Sequence, residues 1–241
     1  MLHGEERNAV DLSFSIPSVC AERLEEGIID VGLVPVAEIA RQNLEIVPGV
    51  GITCLGAVRS ILLFSRTPWT RVRTLAADAS SRSSVQLARV ILRERFGVEP
   101  DITPQVPVLN EMLSGANAAL VIGDPALRLR PEELPYECLD LGAEWLALTG
   151  LPMVFAAWAG KPGIPLNALE RITISSYLFG KERMDDIVER EHTSRGVTAE
   201  LAERYLRHYI RFELGADELK GLEAFLELAD LPRRSVAQSV V

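Results

Sequence analysis

Residues 74–97 read TLAADASSRSSVQLARVILRERFG, and this stretch sets the fold class. Thr74–Ala77 is a short β-prone run that breaks at Asp78. Val85, Ala88, Ile91 and Leu92 then recur at helical spacing until Gly97 stops the pattern. A strand thus feeds a helix through the cluster Ser80-Ser81-Arg82-Ser83-Ser84. The first turn of a helix leaves backbone N–H groups without intrahelical partners, and the helix dipole is positive there. Such a junction favours an anion. One serine is enough to cap a helix, and this junction has four. The cluster reads either as a cap with solvated neighbours or as an anion site. In the second case Ser81, Ser83 and Ser84 supply donors and Arg82 supplies charge.

The same grammar extends in both directions. Upstream, Leu12, Phe14 and Ile16 alternate with Ser13 and Ser15, the pattern of a half-buried strand. Pro17 ends it, Ser18 is placed to cap a helix through Ala21 and Leu24, and Gly27 closes that helix. Ile28–Val34 is a second β-rich run, ending at Pro35-Val36-Ala37-Glu38, a strand-end turn whose Glu38 reads as a solvated acid. Downstream, Val108, Leu109, Met112 and Leu113 make a helix that leads to the strand Ala118–Ile122 and its exit Gly123-Asp124-Pro125. Alternating strands and helices predict an α/β protein, and two such units predict two lobes. Strand C-termini in open α/β sheets line ligand crevices, which marks Pro35, Val36, Gly123 and Asp124 as candidate cleft positions. Arg59-Ser60 opens the apolar run Ile61–Phe64, where an arginine either faces solvent or holds a carboxylate by its fork.

From Pro165 the sequence turns helical, with Leu201, Tyr205, His208 and Phe212 three or four apart. Asp217 is placed to cap a last helix through Leu219, Leu222, Leu226 and Ala229. A chain that crosses to a second lobe and returns fits this order. The crossings are expected near Arg66–Arg71 and Gly150–Phe155, giving lobe one as 1–68 plus 155–241 and lobe two as 69–154.

Composition removes whole classes. The 241 residues are 48% hydrophobic with a formal charge of -9, which excludes a disordered chain and a general nucleic-acid binder. Cys20, Cys54 and Cys138 are isolated and odd in number, against a disulfide framework or a zinc site. No apolar run approaches the ~20 residues of a membrane span, and the first residues lack a signal-peptide pattern. A cytoplasmic protein without membrane or nucleic-acid partners is expected, and oligomeric state is not fixed. The histidines, His3, His192 and His208, sit away from the mid-chain strand ends. No HExxH, GxSxG or P-loop is present. No cofactor and no metal are expected, and the ligand is a small anion such as a carboxylate.

Five ordered segments carry a further signal. IIDVGLVPVAEIA, GAVRSILLFSRTP, TLAADASSRSSVQLARVIL, AALVIGDPAL and DLGAEWLALTGLPMVFAAWA together resemble the chorismate dehydratase family of the futalosine route to menaquinone. The resemblance runs from about Leu12 to Leu228. In the family the serine cluster is usually SSRTSV, so Ser83 here replaces a threonine. The resemblance implies a periplasmic-binding-protein-like fold of type II, two lobes joined by a two-strand hinge with C-terminal helices, adapted to catalysis in the cytoplasm. It implies dehydration of chorismate to 3-[(1-carboxyvinyl)oxy]benzoate. It also implies a substrate-binding set: Ser81, Ser83 and Ser84 on one carboxylate, Arg59 and Ser18 as further anion ligands, and Pro35, Val36, Ser60, Gly123 and Asp124 lining the cleft.

One departure stands out. Family members open with a strand and a motif like SYLNTxPL whose Asn faces the substrate, and residues 1–16 do not match it. The expectation is therefore a missing first strand, an unassigned base and weakened activity. Two rivals share the fold. The sister enzyme that makes dihydroxynaphthoate resembles a histidine-dependent catalyst, but residues 71–150 contain no histidine. A non-catalytic binder of small carboxylates is the other.

Overall fold

The structure is a computed structural model that describes residues 4–78, 80 and 82–232. The chain opens with α1 (Pro17–Glu25), β1 (Val31–Pro35), α2 (Val36–Gln42) and β2 (Glu45–Cys54). It then builds β3 (Ile61–Ser65), β4 (Thr74–Ala77), α3 (Arg82–Phe96), β5 (Asp101–Pro104), α4 (Leu109–Gly115), β6 (Ala118–Ile122), α5 (Asp124–Arg128), β7 (Glu137–Asp140) and α6 (Leu141–Thr149). It returns through β8 (Met153–Gly160), α7 (Leu166–Glu182), α8 (Met184–Glu191), α9 (Ala199–Arg204), β9 (Arg211–Leu214) and α10 (Ala216–Leu228).

Two sheets result, in strand orders β1-β8-β2-β9 and β5-β4-β6-β3-β7. In the second, β4 runs parallel to β5 and β6, while β3 is antiparallel to β6 and β7. The run Ile61–Phe64 is apolar throughout because β3 is buried on both faces. Ile61 and Leu63 enter the main core, while Leu62 and Phe64 face a smaller cluster under α4 with Met112 and Val121. β3 therefore belongs to the second sheet. The chain leaves the first sheet between Cys54 and Ile61, ahead of the expected crossing at Arg66–Arg71. The return lies between Thr149 and Met153, at the start of the expected segment.

The alternation at Leu12–Ile16 does not make a strand. Among the described residues β1 pairs only with β8, so the segment has no partner. It lies outside any regular element, with Phe14 77% exposed, and Arg23 reaches back to the hydroxyl of Ser15 at 3.0 Å. Ser18 lies inside the first turn of α1, and Ile16 takes the cap position. At α10 the cap position falls on Gly215, whose N–H donates to Glu218, while Asp217 pairs with Lys220. Phe212, expected on a helix, lies in β9.

Both crossings are held from beneath. Gly142 at the start of α6 approaches the carbonyl of Gly56 so closely that a Cβ would collide with it. Gly221 of α10 makes the same approach to the carbonyl of Pro152. The indole of Trp145 donates to Pro152 O at 3.1 Å and meets Phe225 edge-on at 6.1 Å. The core is thus continuous under the hinge from α6 to α10.

Candidate functional site

The sheet directions set two rims against each other. β4, β6 and β7 end on one side of the second sheet, where β3 begins. Helix starts follow at Arg82, Asp124 and Leu141. The first lobe offers the end of β1 and the start of α2. Ser83, fully buried in the first turn of α3, accepts the N–H of Ala37 at 3.2 Å. Pro35, the cap residue of α2, has no side chain that can accept a hydrogen bond, so a hydroxyl from the other lobe satisfies one of the helix's unpaired donors. Ser84 is equally buried beside it. Ser81 lies outside the described residues.

Glu38 corrects the solvated-acid expectation. It belongs to the first turn of α2 and is only 2% exposed. Arg82 crosses from the second lobe to Glu38 at 2.7 Å, and Arg41 donates to its other oxygen at 2.9 Å, joined by Gln42 at 3.0 Å. Burial alone would raise its pKa, but the hydrogen bonds from Arg41, Arg82 and Gln42 outweigh this and hold the carboxyl below its ordinary value. A groove of about 580 Å³ opens here, lined by Ser18, Glu22, Ala37, Glu38, Arg41 and Arg82 among others.

The opposite flank carries a second bridge. Ser60 is buried, its carbonyl accepts the N–H of Gly123 at 2.7 Å, and its hydroxyl accepts from Tyr205 at 3.0 Å. Tyr205 starts a π-helical turn, Tyr205–Tyr209, a kind of irregularity that recurs at functional sites. Burial pushes its phenol pKa up, so it stays a proton donor. Asp124 pairs with Arg195 at 3.2 Å, and Arg128 donates to the carbonyl of Arg195 at 3.0 Å.

Arg59 is committed elsewhere. Its backbone is left-handed at φ 64°, and its guanidinium donates to the carbonyls of Ala126, Leu127 and Leu129 at the end of α5. This satisfies the helix end and occupies the fork that a substrate carboxylate would need. Pro35 ends β1 and Val36 opens α2 where the sequence reads as a turn, and Ser18 lines the groove. Sequence spacing does not signal these contacts of Glu38, Tyr205 and Arg195, since their partners lie 44, 145 and 71 residues away.

The family model described as menaquinone biosynthesis matches residues 1–230. The chain belongs to that family. A curated relative, the chorismate dehydratase of Thermus thermophilus, is 31% identical over 208 residues, 80% of this chain and 76% of that protein. Solved structures agree on the fold. Protein AF1704 of Archaeoglobus fulgidus gives a TM-score of 0.71 at 17% identity, covering 91% of this chain and 84% of that one. The periplasmic aliphatic sulphonate binding protein SsuA of Escherichia coli gives 0.58 at 15%, covering 90% and 73%. The menaquinone-family chain thus has the periplasmic-binding-protein-like architecture expected of it. Among its described residues, no helix is long and apolar enough to cross a membrane.

Proposed function

We propose that this protein is a hydro-lyase that converts chorismate to 3-[(1-carboxyvinyl)oxy]benzoate and water in menaquinone biosynthesis, acting in the cytoplasm. The observation that carries the proposal is the 31% identity, over 80% of the chain, to a curated chorismate dehydratase. The reaction removes the C3 proton and the C4 hydroxyl, and the ring becomes aromatic. The C3 proton is acidified through the conjugated ring carboxylate, and aromatisation supplies much of the driving force. The protein's task is to hold two carboxylates and to stabilise charge that builds on the ring acid.

The inter-lobe cleft suits that task. Ser83 and Ser84 stand at the first turn of a 15-residue helix, where N–H groups and the dipole favour a carboxylate. The Ser83 hydroxyl, now on Ala37 N–H, is the group a substrate carboxylate would engage as it enters. Ser60, Gly123 and Asp124 form the other wall, with Tyr205 as a buried phenol donor. Glu38 is a poor general base, because hydrogen bonds from two guanidiniums hold its carboxyl below its ordinary pKa and so weaken the carboxylate as a proton acceptor. Calorimetry with chorismate tests the binding half of the proposal: a saturable isotherm that Ser83→Ala plus Ser84→Ala weakens supports it. An unchanged isotherm in the double variant removes the serines from the site.

A further inference from the structure

Arg82 is held asymmetrically. Nη1 lies 2.7 Å from Glu38, which is almost wholly buried and is fixed from behind by Arg41 and Gln42. Nη2 lies 3.5 Å from Glu22, whose side chain is 54% exposed. The first contact is short and anchored on a buried carboxylate, so it survives ligand entry. The second is long and solvated, and such pairs hold weakly. Both carboxylates and the guanidinium line the same groove between the lobes.

Resting on the chorismate reading, we infer that Arg82 is a carboxylate ligand for the substrate, that Glu38 is the residue positioning it, and that Glu22 is a placeholder which the substrate carboxylate displaces. An arginine fork fixed on one side by a buried carboxylate presents its other side already oriented, so little side-chain entropy is lost on binding. Arg41 is shared between Glu38 and Glu25, whereas Arg82 is shared between Glu38 and Glu22. Moving Glu22 aside therefore frees one side of the Arg82 guanidinium for the entering anion and removes a negative charge from its path. The displaced acid swings into solvent from an exposed turn of α1, and no buried charge is stranded.

The test is calorimetric affinity for two probes, chorismate and benzene-1,3-dicarboxylate, with the whole chain. Arg82→Gln should weaken both by roughly 10- to 100-fold, with Arg82→Lys in between. Glu22→Gln should tighten both about 2- to 5-fold, and the gain should shrink at high salt. Glu38→Gln should weaken binding in the native background and change nothing further in Arg82→Gln, a coupling that a merely structural role would not produce. A native circular dichroism spectrum qualifies each variant, and Arg82→Lys remains readable if Arg82→Gln does not fold. Equal affinity in Arg82→Lys and the unaltered protein, or additive Glu38 and Arg82 effects, would overturn the inference. Binding of the dicarboxylate through Arg82 without recognition of chorismate would support Arg82 as the ligand and sink the chorismate reading instead. Binding of neither probe would overturn both.

Discussion

Asp140 fixes the left-handed backbone of Arg59 by accepting its N–H at 2.6 Å. The same carboxylate accepts the N–H of Val58 at 2.9 Å and caps α6 through Gly142 and Ala143. One side chain therefore ties the end of β7, the start of α6 and the first crossing together. A non-glycine residue at positive φ is strained by about 1–3 kcal/mol and persists only when its surroundings impose it. Asp140→Ala should cost about 2–4 kcal/mol, the lost cap plus unpaired N–H groups. Asp140→Asn, which keeps one acceptor, should cost less. Urea unfolding measures both, and equal stability of Asp140→Ala and the unaltered chain would show that the crossing is held by something else.

Ser83→Ala should destabilise the protein by about 1–3 kcal/mol, because Ala37 N–H loses its acceptor at a buried place. The loss should be small for Ser18→Ala, since Ser18 makes no cap bond. Thermal unfolding of the two variants side by side checks the contrast. A Ser18→Ala effect as large as that of Ser83→Ala would reverse the assignment of the buried inter-lobe bond.

The lowered pKa of Glu38 predicts a pH signature. A carboxyl held below its ordinary value of about 4.5 contributes stability that is fully present above that value. The contribution is lost as pH falls through the folded-state value. Compared at neutral pH, Glu38→Gln should be the less stable protein. The gap should narrow as pH drops below about 4.5. Stability curves that stay parallel down to acid unfolding would mean that Glu38 carries no such linkage.

Cys54 is fully buried, and its thiol is pushed up to about 12 by burial first and then by the charge of Asp140. Cys138 is likewise raised to about 12. Neither has a useful thiolate fraction at neutral pH. Ellman's reagent at pH 8 should leave both largely unreacted in the native protein and modify all three thiols in guanidinium. Rapid native labelling of Cys54 would mean that the first crossing opens far more readily than its packing allows.

Much of the fold is legible because its signals are local. The strand–serine–helix junction at 74–97, the Gly123 exit and the order of elements follow from period and turn chemistry. What fails is non-local. Leu12–Ile16 alternates correctly, yet a strand needs a partner, and none lies beside it among the described residues. Ile61–Phe64 reads the same in either sheet, so its pattern places the first crossing too late. Glu38 and Arg59 show the same limit at the site. One is buried by an arginine 44 residues on, and the other is captured by carbonyls 67 to 70 residues away.

The dehydration itself is decided by mass spectrometry of a chorismate incubation. Residues 1–241 should be incubated with chorismate beside a protein-free control. The expected product is lighter than chorismate by one water and has the aromatic absorbance of 3-[(1-carboxyvinyl)oxy]benzoate. Chorismate recovered unchanged, or a product that has lost anything other than water, would contradict the proposed reaction.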